Sequence, residues 1–355
     1  MPENIFLDTS IFVQENFLEG KRINEFLNLS KAGSINLVLS IITVNEIKSR
    51  FKKQARVAIE KHNELLNDRQ MSVLRNSTME KSKLVKFSKI KVIVEEFDAL
   101  LDAELLNANT TIIEYPVIDS EQIFKKYFEG TFPFNTGEKK HEFPDAIALL
   151  SVEEWCSKNK TKCVIFSKDK DFLKSKPAKG VTVNADYENY LEALLTRLYK
   201  ERVDIASILF TKNDLLINKE LEEWIKTEVD DDTIYYDFTN SYDVHNIKIS
   251  SINVIKKEYQ VISVEEESIE VEATATVEVK IILTIDDEES GIYDSEEKEM
   301  HYMETTELTV DQELEIPLNI LFYITNKDDY DDKCEVIEIN NGKPIQLEPD
   351  ISDMY

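Results

Sequence analysis

Glycine is scarce in this chain. Its seven residues are scattered, with neither GxGxxG nor GxxxxGK[ST] among them, so a phosphate-cradling loop is not supported. Histidine is scarcer still. His62, His141, His245 and His301 make no HxH or HExxH spacing, and no Cys/His set for zinc exists. GxSxG is absent too. Cys156, Cys163 and Cys334 form no CxxC pair and read as free thiols of a reduced, cytoplasmic protein. No apolar run approaches the ~20 residues of a membrane helix. The N-terminus lacks a basic stretch and a small-residue cleavage site, so neither a membrane span nor a signal peptide is expected. The groups left to carry any catalysis are carboxylates.

Acids are abundant, and unevenly placed. The chain has a net charge of -28 over 355 residues. Residues 1–200 hold 30 Lys and Arg against 29 Asp and Glu, a net of +1, whereas residues 201–355 hold 12 against 41, a net of -29. An apolar content of 42% and a charged content of 32% fit a soluble globular protein, and the length suits two domains. A balanced half joined to a very acidic half predicts two domains with different partners.

Apolar strands alternate with helical patterns through the first half. Residues 4–7 read as a buried strand ending at Asp8. Residues 22–32 read as a helix, and "INLVLSIIT" (35–43) as a second strand leading into a helix from about 45 to 68. Helical patterns continue over about 78–107 and 120–129, with a short strand in "TIIEYPVID" between them. "FPDAIALLSVEEWCSKN" is a helix with Pro144 in its first turn. "KCVIFS" and "GVTVN" are strands, and "YENYLEALLTRLYKERV" is a closing helix. This alternation predicts an α/β fold, a parallel sheet covered on both faces. After about residue 210 a helix over 217–228 gives way to strands. Every odd position from Ile269 to Ile285 is apolar, the period of a half-buried strand. Seventeen residues would span ~56 Å, so this strand is expected to bend or divide. The second half reads as an antiparallel β-rich, sandwich-like domain.

The acids of the first half fall at the ends of these elements. Asp8 ends the first strand and Glu46 follows the second at a helix start. Glu142 and Asp145 open the helix before the third, and Asp169 and Asp171 follow it. In open parallel sheets, ligands bind outside the carboxyl ends of the strands. Taken singly, each acid has an ordinary reading. Asp8 caps a turn, Glu46 and Asp145 complement helix dipoles, and Asp169 and Asp171 sit in a turn. Together on one sheet edge they would repel one another unless a cation sat between them. Oxygen donors suit Mg²⁺ or Mn²⁺, and such ions serve phosphodiester hydrolysis. Ser10 and Ser167, each two residues from an acid, are placed to hydrogen-bond the carboxylates or bound water. Lys48, Arg50, Lys52 and Lys53 follow Glu46 within two turns, and Lys139, Lys140 and His141 adjoin Glu142; both groups could grip phosphates. The run over 81–91 is either a second phosphate grip or a solvated face. Tyr235 and Tyr236 read as packing residues rather than base-stacking ones.

"IFLDTSIF", "LSIITVNEI", "EFPDAIALL" and "VIFSKDKDF", in that order, resemble the PIN-domain nucleases over roughly residues 3–200. The form "EKKHEFPDAIALL" with a large β-rich tail resembles a bacterial subgroup of that family. The resemblance implies metal-binding acids at Asp8, Glu46, Asp145 and Asp169. Asp171 is an alternate for the last, and Glu142 a fifth ligand. It implies Mg²⁺- or Mn²⁺-dependent cleavage of RNA, less often DNA. The expected organisation is a PIN-like domain over 1–205 with a helical insertion at about 48–137. A helical, acidic linker over 206–235 follows, then an acidic β-rich domain over 236–355. The expected function is an endoribonuclease whose C-terminal domain regulates, binds a protein partner or self-associates. A DNA nuclease of a defence system and a non-catalytic RNA- or protein-binding module are the alternatives.

Overall fold

The computed structural model describes residues 2–69, 71–77, 87, 89–115, 120–130, 134, 143–173, 177–230, 235–236, 244–287, 290–294, 299–302, 304–324 and 333–347. Contacts separate the chain into two compact units, residues 1–191 and 192–355.

In the first unit the elements run β1 (Glu3–Leu7), α1 (Thr9–Gln14), α2 (Lys21–Lys31), β2 (Ile35–Ser40), α3 (Ile41–Asn67), α4 (Ile90–Asn107), β3 (Thr111–Ile113), α5 (Ser120–Glu129), α6 (Phe143–Asn159), β4 (Cys163–Phe166), α7 (Lys170–Leu173), β5 (Val181–Asn184) and α8 (Tyr187–Leu198). The strands form one parallel sheet in the order β3-β2-β1-β4-β5. β1 is central, and Ile5, Phe6 and Leu7 are buried within it. The chain builds outward from β1 through β2 and β3, then returns to β4 on the other side. The topological switch point therefore lies between β1 and β4, where an open α/β sheet has its ligand crevice. At that edge the Asp8 amide donates to the Phe166 carbonyl at 2.9 Å.

α3 starts earlier than the sequence pattern suggests. Ser40, the last residue of β2, caps it directly, accepting from the Thr43 amide at 3.0 Å. No loop intervenes, so Glu46 sits in the second turn rather than at the helix start. Phe51 of α3 stacks on Phe97 of α4 with centroids 3.7 Å apart, and Phe17 meets both edge-on. That aromatic cluster fixes α3 beside α4. The single closing helix expected after β5 is divided. Tyr199 leaves the helical region (φ -131°, ψ 40°) between α8 and α9 (Lys200–Lys212).

The second unit continues with α10 (Asp214–Asp230), β6 (Tyr235–Tyr236), β7 (Val244–Val264), β8 (Ser268–Asp286), β9 (Gly291–Asp294), β10 (Glu299–Tyr302), β11 (Thr305–Tyr323), β12 (Cys334–Ile339) and β13 (Gln346–Leu347). Its main sheet is antiparallel, ordered β12-β11-β8-β7. β9 pairs with β10, and β6 with β13. β8 is neither bent into two strands nor divided. It pairs along its whole length with β7 on one side and β11 on the other. The irregularity lies in β7 instead, whose register shifts four times. Ile269, Val271, Ala273, Ala275, Val277, Val279, Ile281, Leu283 and Ile285 are all buried. Among the described residues, the layer packed on this sheet is helical. α9 and α10 lie on β7, with Phe210 stacked on Tyr259 at 4.3 Å and Ile217, Leu221 and Ile225 buried. The Lys257 side chain is 7% exposed, and its ammonium is held by Asp214 and Asn218.

Candidate active site

Asp8 is 7% exposed. Its carboxylate caps α1, as the ordinary reading of that residue holds, and it does more. Oδ2 accepts from the Ser10 amide (3.2 Å), the Ser10 hydroxyl (2.6 Å) and the Ser167 hydroxyl (2.9 Å). Among the described residues, every hydrogen bond to this carboxylate lands on Oδ2. The two serines that grip it are also gripped in turn. The Lys168 amide donates to Ser10 Oγ at 3.0 Å, and the Asp169 amide to Ser167 Oγ at 3.1 Å. The ends of β1 and β4 are thus laced together through two buried or half-buried hydroxyls. Neutral hydroxyls satisfy one oxygen without neutralising the acid.

Three further acids share the cleft. Glu46 reaches it from α3, Asp145 from the first turn of α6 and Asp169 from the turn after β4; together with Asp8, Thr9, Ser10, Val13, Gln14, Arg50, Gln54 and Lys168 they line a cavity of about 380 Å³. The Thr9 hydroxyl donates to Glu46 Oε2 at 3.4 Å. Asp169 Oδ1 accepts from the Phe172 amide at 3.3 Å, capping α7. Burial raises the Glu46 carboxyl above the usual range, and the neighbouring Asp8 charge raises it further. Asp145 is pushed up to about 8, first by burial and then by Glu46, Asp8 and Asp169, with Arg50 opposing. These shifts are the signature of carboxylates crowded where water is scarce. Lys168 does not relieve them: its ammonium is spent on both oxygens of Glu188 (2.9 and 3.0 Å) and lies over the Tyr187 ring.

A hard divalent cation suits this donor set, which is made of carboxylate and hydroxyl oxygens. It would also relieve the repulsion that Asp145 reports. As the side chains stand, no three acids among the described residues are drawn into a ready coordination shell.

Other residues singled out by sequence fall in several places. Lys48 is turned away from phosphate duty by Asp102, whose oxygens lie 2.6 and 2.7 Å from its ammonium. Lys52 is exposed and lines no part of the cleft. Lys53 joins Arg50 in a neighbouring groove. Asp171 belongs to α7, and its side chain lies outside the described residues, as do Lys139, Lys140, His141 and Glu142. The side chains of Tyr235 and Tyr236 in β6 and most of the run over 81–91 lie outside them too. Sequence reading passed over Thr9, Gln14, Gln54 and Lys168. Helical spacing could have found two of them, since Gln14 lies one turn from Ser10 and Gln54 one turn from Arg50.

Residues 5–172 match the family model described as the PIN domain. No curated protein and no solved structure matches the chain.

Proposed function

Because residues 5–172 belong to the PIN-domain family, a nuclease-type fold, we propose that this chain is an endoribonuclease dependent on Mg²⁺ or Mn²⁺. One observation carries the reading. Asp145, raised to about 8, shares its cleft with Asp8, Glu46 and Asp169 at the switch point of the sheet. Acids arranged at such cost to one another mark a functional site more often than a structural one.

In this reading Asp8, Glu46, Asp145 and Asp169 hold the cation. When bound, it supplies positive charge to the phosphoryl group as charge develops there. Ser10 and Ser167 hold Asp8 in one orientation and leave its other oxygen to the cation. Arg50, on the rim, offers a bidentate guanidinium to a phosphate. Lys168 keeps its place through Glu188 and stiffens the turn that carries Asp169. Nucleic acid is assigned to the first unit, because the charge of residues 201–355 repels phosphate. The same charge break supports a regulatory or partner-binding role for the second unit.

Cleavage of labelled single-stranded RNA, single-stranded DNA and flapped DNA in Mn²⁺ tests the reading. Asp8→Asn and Asp145→Asn should each abolish cleavage while leaving the circular dichroism spectrum unchanged. Undiminished cleavage by the double variant would sink the mechanism. Preference for DNA would replace the ribonuclease assignment, and absence of both cleavage and a Mn²⁺-induced thermal shift would leave a binding module.

A further inference from the structure

α3 runs on well past the acidic cleft, and its outer face is basic. Arg50, Lys53, Gln54, Val57, Ala58 and Lys61 line a second groove of about 440 Å³. Their spacing of three and four residues puts them on one stripe of the helix. An amphipathic helix buries one stripe and turns a polar one to solvent; this is the solvent stripe, with all six residues exposed. Three are cations, and the two between Gln54 and Lys61 form a small apolar floor. Among the described residues, no acid forms an ion pair with Arg50, Lys53 or Lys61, whereas the nearby Lys48 is closed off by Asp102. The groove is continuous with the acidic cleft, because Arg50 and Gln54 line both.

Exposed cations in a row, leading out of a cleft of acids, have the geometry of a backbone track. From Arg50 to Lys61 the helix rises about 16 Å. A row on one helix face meets one strand; a duplex would need a second row for its other backbone. We propose that a single polynucleotide strand leaves the acidic cleft along the outer face of α3, with backbone phosphates on Arg50, Lys53 and Lys61 and a base against Val57. Arg50 belongs to both sites and sets the register between the strand and the cut. Lys53 and Lys61 contribute affinity and no chemistry.

This inference rests on the nuclease reading only for what happens in the cleft, and its test separates the two. Binding is measured with the full, metal-free chain and labelled oligonucleotides of about 12 nucleotides, a length within the usual range of single-strand sites. RNA and DNA strands are compared, as is a duplex. The variants are Lys53→Gln with Lys61→Gln, and Lys52→Gln as a control on the same helix outside the groove. Losing two phosphate contacts should weaken single-strand binding about tenfold and make the salt slope shallower by about 1.4. Lys52→Gln should bind like the wild type, and the duplex should bind more weakly than either strand. A double variant that binds with unchanged affinity and slope overturns the track, as does an equal loss in Lys52→Gln or a wild type that prefers duplex. If the wild type binds as expected but cuts nothing in Mn²⁺, hydrolysis falls and the track stands. If it cuts, and the double variant cuts with unchanged KM, the track falls and hydrolysis stands.

Discussion

Asp145 is the residue at which the site's electrostatics become measurable. Its carboxyl, ordinarily near 3.8, is raised to about 8. Between those two values the folded chain keeps a proton that the unfolded chain has released. Stability therefore falls as pH rises through that window, and the full penalty stands above about pH 8. Asp145→Asn removes the titrating group while keeping its size. The metal-free variant should match the wild type at pH 4 and melt higher at pH 8, by at least about 2 °C for a unit of this size. Most substitutions destabilise, so a gain confined to high pH is diagnostic, and equal melting at pH 8 would remove the crowding from the account. Glu46→Gln should act in the same direction, since Glu46 is raised by the same causes. Mn²⁺ at about a hundred times its dissociation constant should stabilise the wild type by about 2.7 kcal/mol, and Asp145→Asn should lose that gain. The positions of these acids were legible in the sequence, because each stands where an apolar run ends or a helix begins. Ser10 and Ser167 were legible too, as partners of the carboxylates. What was not legible is that Ser167 donates to Asp8, across 159 positions of chain, and not to nearby Asp169, so that three donors converge on a single oxygen.

At the level of elements, the cleft depends on how β1 and β4 are joined at their ends. Ser167 is fully buried there, donating to Asp8 and accepting from the Asp169 amide. Ser167→Ala strands both partners in a place water reaches poorly. It should cost about 1–3 kcal/mol of stability and lower kcat far more than it raises KM for a bound strand. A KM effect without a kcat effect would mean that the serine serves binding and not the acids. The strands around this junction announce themselves as apolar runs, because a parallel sheet buried on both faces needs them. Their order does not, since it follows from which crossovers pack together. Regularity decided legibility elsewhere too. β8 alternates without a fault and was read along almost its full length, though its continuity came from equally long neighbours. β7 is longer still, and its four register shifts break the alternation that would have revealed it. The start of α3 was misplaced because Ser40 ends a strand and caps a helix at once. The division at Tyr199 left no mark, since "LTRLYKER" carries neither glycine nor proline.

For the molecule as a whole, charge is the property that the two halves do not share, and it makes salt act in opposite directions. Residues 201–355 carry a net of -29, and repulsion among so many like charges works against a compact state. Screening relieves it, because the Debye length shrinks from about 30 Å at 0.01 M to about 8 Å at 0.15 M salt. Raising salt should therefore raise the melting temperature of the full chain. Binding of a strand to the basic face of α3 releases counterions and must weaken over the same range. Differential scanning fluorimetry and fluorescence anisotropy, run on one salt series from about 0.01 to 0.3 M, should give slopes of opposite sign. Lys53→Gln with Lys61→Gln should flatten the binding slope and leave the melting slope alone, since exposed residues on α3 have no part in the repulsion among the acids of the second half. Binding that strengthens with salt would place the strand contact on apolar surface instead of phosphate. Melting that falls with salt would mean that the acids of the second half are matched by cations in the fold, as Asp214 is by Lys257, and that their excess is not what limits its stability.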